Sequence, residues 1–285
     1  MKRSKNLLVF SIILGLTSFV GCKKQENKPM SFEKISVSET YSLLEGQDDY
    51  VPKLIFDFTF PFDYQDKQTL KKVEQIFVSK CFGEEYKDFS PENAVDEYKK
   101  NFLETCKTYE KNLKKDLEEH KAGTEEFCYS CYILEDIWSD TILFQNEDIL
   151  TFKVQHYSYT GGAHGSSSIN AYNILLKDAK ILQYEDIFID GSREKLTELL
   201  DQKLMTANNY SSLDELKENY IFSENIAPNN NFIVDDKGVT FIYGEYEIGP
   251  YYLGITPIFI PYEDLIPYIK TESPVSKLVD SHSNI

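Results

Sequence analysis

Alternation of apolar and polar residues predicts several β-strands, and the clearest one lies at 51–60. Leucine or phenylalanine occupies every second position there, at Leu54, Phe56, Phe58 and Phe60, so one face of the strand is apolar. The same period appears at 149–159. One face there carries Leu150, Phe152, Val154 and His156, and the other carries Thr151, Lys153, Gln155, Tyr157 and Tyr159.

Apolar residues spaced by three and four predict amphipathic helices between these strands. The longest helix should begin at Ser90 as N-cap with Pro91 as its first residue. Its apolar stripe continues through Val95, Tyr98, Phe102, Cys106, Tyr109, Leu113 and Leu117. Because strands and helices come in separate groups, we predict an α+β fold with antiparallel sheets and paired helices packed on one side.

The first 21 residues resemble a secretory signal peptide. Three cations precede an apolar run at 7–20 that is too short to span a bilayer. Gly21-Cys22 then resembles a lipobox, in which cleavage before the cysteine allows its lipidation. We therefore expect a lipoprotein signal peptide at 1–21, lipidation of Cys22 and a tether at 22–31. An ordinary secretory signal with an unmodified Cys22 is the alternative.

This N-terminus predicts a location in the cell envelope, extracytoplasmic and attached to a membrane only through lipid. The formal net charge is −17, and removal of the signal cations Lys2, Arg3 and Lys5 leaves −20. Such a charge disfavours nucleic acid as a partner and favours a cationic one. Acidity that only promotes solubility is the alternative explanation.

Four further cysteines allow up to two disulfides in an oxidising compartment, and Cys81, Cys106, Cys128 and Cys131 permit three pairings. Cys128 and Cys131 have the CxxC spacing of redox sites. They fall in a predicted strand at 127–138, however, where the two side chains would face opposite ways. We therefore predict structural disulfides, with these two residues not paired to each other.

The stretch 156–172, HYSYTGGAHGSSSINAY, is the strongest candidate for a functional site. It lacks the lysine of a P-loop and the helix that follows a dinucleotide-binding loop. A zinc site could use His156 and His164 with Glu185 and Asp186, but His156 lies on an apolar strand face and should be a hydrogen-bonded core residue. We favour a rigid glycine turn that presents tyrosines to a partner.

Two motifs resemble those of a known bacterial domain family. YTGGAHG at 159–165 and YEIGPYYLG at 246–254, followed by an apolar strand at 258–261, are similar to the RsiV/PdaC-type extracytoplasmic domains. The family includes the domain of a lysozyme-sensing anti-sigma factor and a non-catalytic part of a peptidoglycan deacetylase. We assign the family domain to 159–270, a companion α+β domain to 32–158, and a polar, frayed tail to 271–285.

The resemblance implies a binding module, because neither the sigma-binding and transmembrane segments of the anti-sigma factor nor the catalytic domain of the deacetylase is expected in this chain. We expect lysozyme or a similar cationic wall-directed protein as partner, with no catalytic residue, metal or cofactor. The expected ligand-binding residues come from the two motifs and are Tyr157, Tyr159, Gly161, Gly162, His164, Gly165, Tyr246, Glu247 and Tyr251.

Two other functions remain open at this point. Peptidoglycan or another envelope glycan could stack on the rings of Tyr157, Tyr159, Tyr246 and Tyr251. A metal-dependent hydrolase using His156 and His164 with nearby acids is the third and least favoured hypothesis.

Overall fold

The computed structural model describes residues 28–45, 51–121, 127–219, 221–222 and 226–283. The predicted signal peptide, Cys22 and most of the tether lie outside these residues. The described chain contains a six-stranded sheet with the order β1-β2-β3-β4-β5-β6. Its strands are β1 (Ser31–Thr40), β2 (Lys53–Asp63), β3 (Glu135–Gln145), β4 (Ile149–Tyr159), β5 (Ser166–Leu175) and β6 (Lys180–Ile181).

The six-stranded sheet is mixed, which corrects one detail of the predicted architecture. Strands β2 and β3 pair in parallel, and the other neighbouring strands pair antiparallel. The parallel pair arises because two helices, α1 (Lys67–Phe82) and α2 (Pro91–Lys121), connect β2 to β3 and return the chain to the starting edge. The predicted α+β class is confirmed, and the β2–β3 pair departs from the predicted antiparallel pairing.

Helices α1 and α2 pack on one face of this sheet and form the first hydrophobic core. The alternate residues predicted on β2 are all buried there, and Phe77 of α1 stacks on Phe152 of β4 at 3.9 Å between ring centroids. The predicted cap of α2 is also present, since the Ser90 hydroxyl accepts a hydrogen bond from the Asn93 N–H at 3.3 Å. These contacts fix the helix layer over β2, β3 and β4.

The second half of the chain forms a second core around a three-stranded antiparallel sheet, in the order β7-β8-β9. The strands are β7 (Phe232–Val234), β8 (Gly238–Tyr243) and β9 (Thr256–Pro261). The helices are α3 (Tyr184–Ile187), α4 (Arg193–Asn208), α5 (Leu213–Asn219), α6 (Tyr262–Leu265) and α7 (Ser276–Ser283).

Asparagine side chains link the two sheets. Asn173 of β5 donates from Nδ2 to the Phe232 carbonyl at 2.7 Å, and its Oδ1 accepts from the Val234 N–H at 2.8 Å. Asn231 makes the reciprocal contact, bonding one N–H and one carbonyl of β5 at 2.8 Å each. Because β5 and β7 do not pair through their backbones, these buried or half-buried amides fix their relative position.

The predicted domain boundary between residues 158 and 159 falls at the end of β4. That position lies inside a hairpin, because β4 and β5 both belong to the six-stranded sheet. The first core extends to Leu176, and the second includes Leu182, so the change of core follows β5. Ile149 and Leu175, at one end of the hairpin, contact the second core.

The C-terminal segment predicted to be frayed is largely folded. Val275 and Val279 are buried in the second core; Val275 directly precedes helix α7, and Val279 lies within it. Lys277 also bonds the Asp148 carboxylate at 2.5 Å. Although this segment is mostly polar, Val275 and Val279 are spaced as i and i+4. This spacing is enough to dock one helical face.

The disulfide predictions also need correction. Cys128 and Cys131 are joined to each other, while Cys81 and Cys106 are free thiols buried in the first core. The predicted strand at 127–138 begins only at Glu135, and Tyr129–Tyr132 forms a 3₁₀ turn instead. In that turn the Cα atoms of Cys128 and Cys131 lie 5.5 Å apart, a separation that a disulfide can bridge.

Candidate binding site

Glycines shape the turn between β4 and β5. Gly161 and Gly162 have φ values of +88° and +98°, which residues with a Cβ rarely adopt. A Cβ added at Gly162 would contact nothing within 4 Å, so the backbone conformation and not lack of space requires glycine. The Tyr159 hydroxyl donates to the Gly162 carbonyl at 2.8 Å and closes the turn.

Gly165 is required for space. A Cβ at this position would lie 2.5 Å from Cε2 and from the hydroxyl oxygen of Tyr157, closer than non-bonded atoms can approach. The ring of Tyr157 therefore packs directly against the backbone of Gly165. The Tyr157 ring and the Gly165 backbone together support the turn.

His164 connects the glycine turn to the second motif. Its ring stacks on Tyr251 at 3.8 Å between centroids, with an interplanar angle of 20°. Nδ1 donates to the Gly165 carbonyl at 2.9 Å, and the Tyr251 hydroxyl donates to the same oxygen at 3.0 Å. The other ring nitrogen of His164, Nε2, lies 3.4 Å from the Tyr246 hydroxyl, which belongs to the second motif.

The second motif forms a loop between β8 and β9 that is held by Glu247. One carboxylate oxygen of Glu247 accepts from the Gly244 N–H at 2.7 Å, and the other accepts from the Asn229 amide at 3.2 Å. Tyr246, which lies between Gly244 and Glu247 in the sequence, has a φ of +62°. A non-glycine residue in this left-handed region costs on the order of 1 kcal/mol and is enriched at functional sites.

Three aromatic side chains beside these loops face solvent. Tyr246 is 56% exposed, Tyr252 is 74% exposed and Phe222 is 66% exposed. The Phe222 N–H donates to the Ile248 carbonyl at 2.8 Å, which places Phe222 next to the second motif. We call Tyr246, Tyr252 and Phe222 the aromatic surface. Exposed aromatic groups of this kind are typical of protein-binding sites.

The two motif loops carry the negative residues Glu245 and Glu247 and no positive residue. No Lys or Arg occurs between Lys153 and Lys177 or between Lys237 and Lys270. Glu245 lies close to the stacked rings, since its carboxylate accepts from the Ser166 hydroxyl at 3.4 Å. Partial desolvation raises the pKa of the Tyr251 hydroxyl, and the negative charge of Glu245 raises it further.

The structure brings the two predicted motifs together, although they are far apart in sequence. Most of the predicted residues contribute to the fold itself. Gly161 and Gly162 shape the turn, Tyr159 closes it, Tyr157, Gly165 and Tyr251 support it, and Glu247 holds its own loop. Sequence reasoning missed Tyr252, Phe222 and Glu245. Tyr252 lies in a 3₁₀ turn (Tyr251–Leu253), whose exposed position no strand or helix period reveals.

His156 lies in a different cluster of side chains from His164. Its Nε2 bonds the Asp136 carboxylate at 2.8 Å, and its ring stacks on Trp138 at 3.6 Å between centroids. Asp136 also accepts from the Trp138 indole at 2.7 Å and from the Tyr98 hydroxyl at 2.8 Å. Burial, followed by the nearby Asp136 charge, raises the pKa of Tyr98. The predicted hydrogen bond of His156 is confirmed, whereas its side chain is 26% exposed and lies at the edge of the core and not inside it.

The residues considered for a zinc site do not meet. Glu185 pairs with Arg193 and Asp186 pairs with Lys180, both on the second half of the fold. Within the described ranges, no three His, Cys, Asp or Glu side chains are grouped so as to hold a metal ion. In that same part of the chain, no helix is long and apolar enough to cross a membrane.

Two family models match consecutive segments of the chain. Residues 52–167 match the family described as deacetylase PdaC, and residues 185–263 match the protein family of unknown function DUF3298. The glycine motif lies at the end of the first match, and the second motif lies inside the second. No curated protein is significantly similar to the chain.

Solved structures agree with these matches. A DUF3298 family member from Bacteroides fragilis has a TM-score of 0.80 and 27% identity, covering 90% of this chain and 100% of that chain. A DUF3298 family protein from Pseudomonas aeruginosa has the same fold, with a TM-score of 0.60, 17% identity, and coverage of 86% and 96%. These findings confirm the resemblance read from the two motifs: the chain joins a PdaC-like segment to a DUF3298-like segment.

Proposed function

We propose that this chain is a lipid-anchored, extracytoplasmic binding protein without catalytic activity that captures a cationic wall-directed protein. One observation carries the proposal. The two motif loops, which contain no Lys or Arg, meet and present Tyr246 and Tyr252 to solvent, and the exposed Phe222 lies beside the second motif. Large, stiff aromatic side chains supply binding energy at low entropic cost, and negative charge steers a cationic partner to them.

Lysozyme is the first partner to test, because the two motifs resemble those of a lysozyme-sensing domain and lysozyme is a cationic protein directed at the wall. The net charge of −20 on the chain without its signal peptide supports the same choice. Attraction between opposite charges at an exposed surface weakens as salt is added. Binding should therefore be tighter at low ionic strength.

Titration calorimetry of lysozyme against the purified protein at low and moderate salt tests this function. We expect binding at both salt concentrations, about tenfold weaker after Tyr246→Ala or Tyr252→Ala. Phe62→Ala is the matched control, because Phe62 is an exposed aromatic residue of β2 on the other half of the fold. Absence of heat at both salt concentrations would exclude lysozyme as the partner.

An envelope glycan is the second candidate ligand, favoured by the same exposed tyrosine rings, which can stack on sugars. Sedimentation with purified peptidoglycan sacculi separates the two functions, since stacking on neutral sugars depends far less on salt than capture of a cation does. Co-sedimentation that persists at high salt and is lost with Tyr252→Ala would favour the glycan.

The lipid anchor is a separate part of the proposal. Metabolic labelling with a fatty acid analogue should modify the wild-type chain and leave the Cys22→Ser variant unlabelled. Equal labelling of both proteins would place any lipid elsewhere.

A further inference from the structure

Two glutamates flank Tyr246, and the fold uses only one of them. Glu247 is engaged by the Gly244 N–H and the Asn229 amide, so it holds the loop. Glu245 is half-buried, and the one hydrogen bond it receives from the described residues comes from the Ser166 hydroxyl at 3.4 Å. No Lys or Arg from the described part of the chain forms an ion pair with it. A partly desolvated carboxylate that has no cationic partner within the fold can form an ion pair with a cationic group of a ligand.

The Glu245 carboxylate lies beside the stacked aromatic rings. Its partner Ser166 follows Gly165, and the Gly165 carbonyl accepts hydrogen bonds from both His164 and Tyr251. The influence of Glu245 on the pKa of Tyr251 agrees with this placement. The negative charge is therefore presented next to aromatic rings and not on an isolated loop.

Tyr246 supplies an exposed ring at the same place. Its ring centroid lies 5.6 Å from that of Tyr251, and Tyr251 stacks in turn on His164. More than half of the Tyr246 side chain remains open to solvent. Tyr246 also has a positive φ, a strained backbone conformation of the kind that occurs often at ligand-binding sites.

We propose that Glu245 and Tyr246 together bind a guanidinium group, an arginine side chain of the partner. The guanidinium stacks on the exposed ring of Tyr246 and donates two N–H groups to the Glu245 carboxylate. Guanidinium fits better than ammonium because it is planar, weakly hydrated and able to bind a carboxylate through two parallel hydrogen bonds. The inference rests on the proposed function and names the chemical group that its surface recognises.

Two short peptides of equal length, one of arginine and one of lysine, provide the test by titration calorimetry with the full-length protein. We expect the wild-type protein to bind the arginine peptide at least about fivefold more tightly than the lysine peptide. Glu245→Gln should remove that preference. Glu118→Gln, which makes the same charge change on the exposed outer end of α2, should leave it intact.

Tyr246→Gly provides a second variant that should fold, because glycine relieves the positive φ at this position. It should also lose the preference for arginine. Equal binding of the two peptides by the wild-type protein, or an unchanged preference in Glu245→Gln, would overturn the inference. If lysozyme fails to bind while the arginine preference and its loss in Glu245→Gln stand, the proposed partner is wrong and the guanidinium site is retained.

Discussion

Asp140 of β3 carries a buried carboxyl group that should destabilise the protein as the pH rises towards neutrality. One oxygen accepts from the Thr59 N–H at 2.8 Å, while the other is enclosed and has no hydrogen-bond partner among the described residues. Burial raises the pKa of Asp140 from 3.8 to about 7, and the charge of Asp57 adds to the rise. The bond from Thr59 and the charge of Lys34 act in the opposite direction.

The sign follows from the protons bound in each state. Between pH 3.8 and about 7, folded Asp140 keeps its proton and unfolded Asp140 has lost it, so the free energy of unfolding falls as pH rises. One pKa unit corresponds to about 1.4 kcal/mol. The interval from pH 5 to 7 therefore contributes about 2 kcal/mol, because folded Asp140 is already partly ionised as the pH approaches its pKa.

The substitution Asp140→Asn isolates this effect. Asparagine keeps an oxygen for the Thr59 N–H and does not titrate, so the variant should gain ~2 kcal/mol of stability relative to wild type between pH 5 and pH 8. Any constant difference between the amide and the neutral acid cancels in this comparison. Urea unfolding followed by the fluorescence of Trp138, the single tryptophan, gives the free energy at each pH.

Asp178→Asn is the matched control for Asp140→Asn. Asp178 is an exposed residue of the turn after β5, so its removal changes the net charge equally without removing a buried carboxyl. We expect its stability difference from wild type to vary little over the same pH range. A difference between Asp140→Asn and wild type that stays constant from pH 5 to 8 would refute the reasoning.

Three further outcomes follow from the structure. Gly165→Ala should weaken lysozyme binding and lower the melting temperature in calorimetry, because the new Cβ would lie 2.5 Å from the Tyr157 ring. Asn173→Ala should cost about 2–4 kcal/mol in urea unfolding by leaving buried backbone groups of β7 unpaired. A Cys128→Ser/Cys131→Ser variant should show no fewer free thiols than wild type when both are unfolded without reductant, because Cys128 and Cys131 are already paired with each other.

Patterns that depend on neighbouring residues predicted the local elements correctly. The alternation in β2 and the cap at Ser90 are both local, and both appear in the structure. The parallel pairing of β2 with β3 was not predicted, because it depends on where two helices return the chain. Whether Cys128 and Cys131 could pair depended on where β3 begins. Because the strand begins at Glu135, the two cysteines lie in a turn before it and form a disulfide.

The candidate site was predictable as two motifs but not as one surface. Its glycine-rich composition predicted the turn between β4 and β5, and Gly161 and Gly162 do adopt positive φ. From the sequence we expected Glu247 and not Glu245 to bind a ligand, although the two are only two residues apart and chemically identical. Only the hydrogen bonds from Gly244 and Asn229 distinguish the glutamate that holds the loop from the one available to a ligand.

The contacts between the two loops imply that their residues act as a unit. The Gly165 carbonyl accepts from His164 of one motif and Tyr251 of the other, and the rings of His164 and Tyr251 stack on each other. Removing either ring therefore deprives the other of its stacking partner and takes away one of the two aromatic neighbours of Tyr246. Effects of single substitutions here should not add, since each one already disrupts the shared arrangement. The aromatic surface is thus a property of the docked loops, which explains why neither motif alone specifies it.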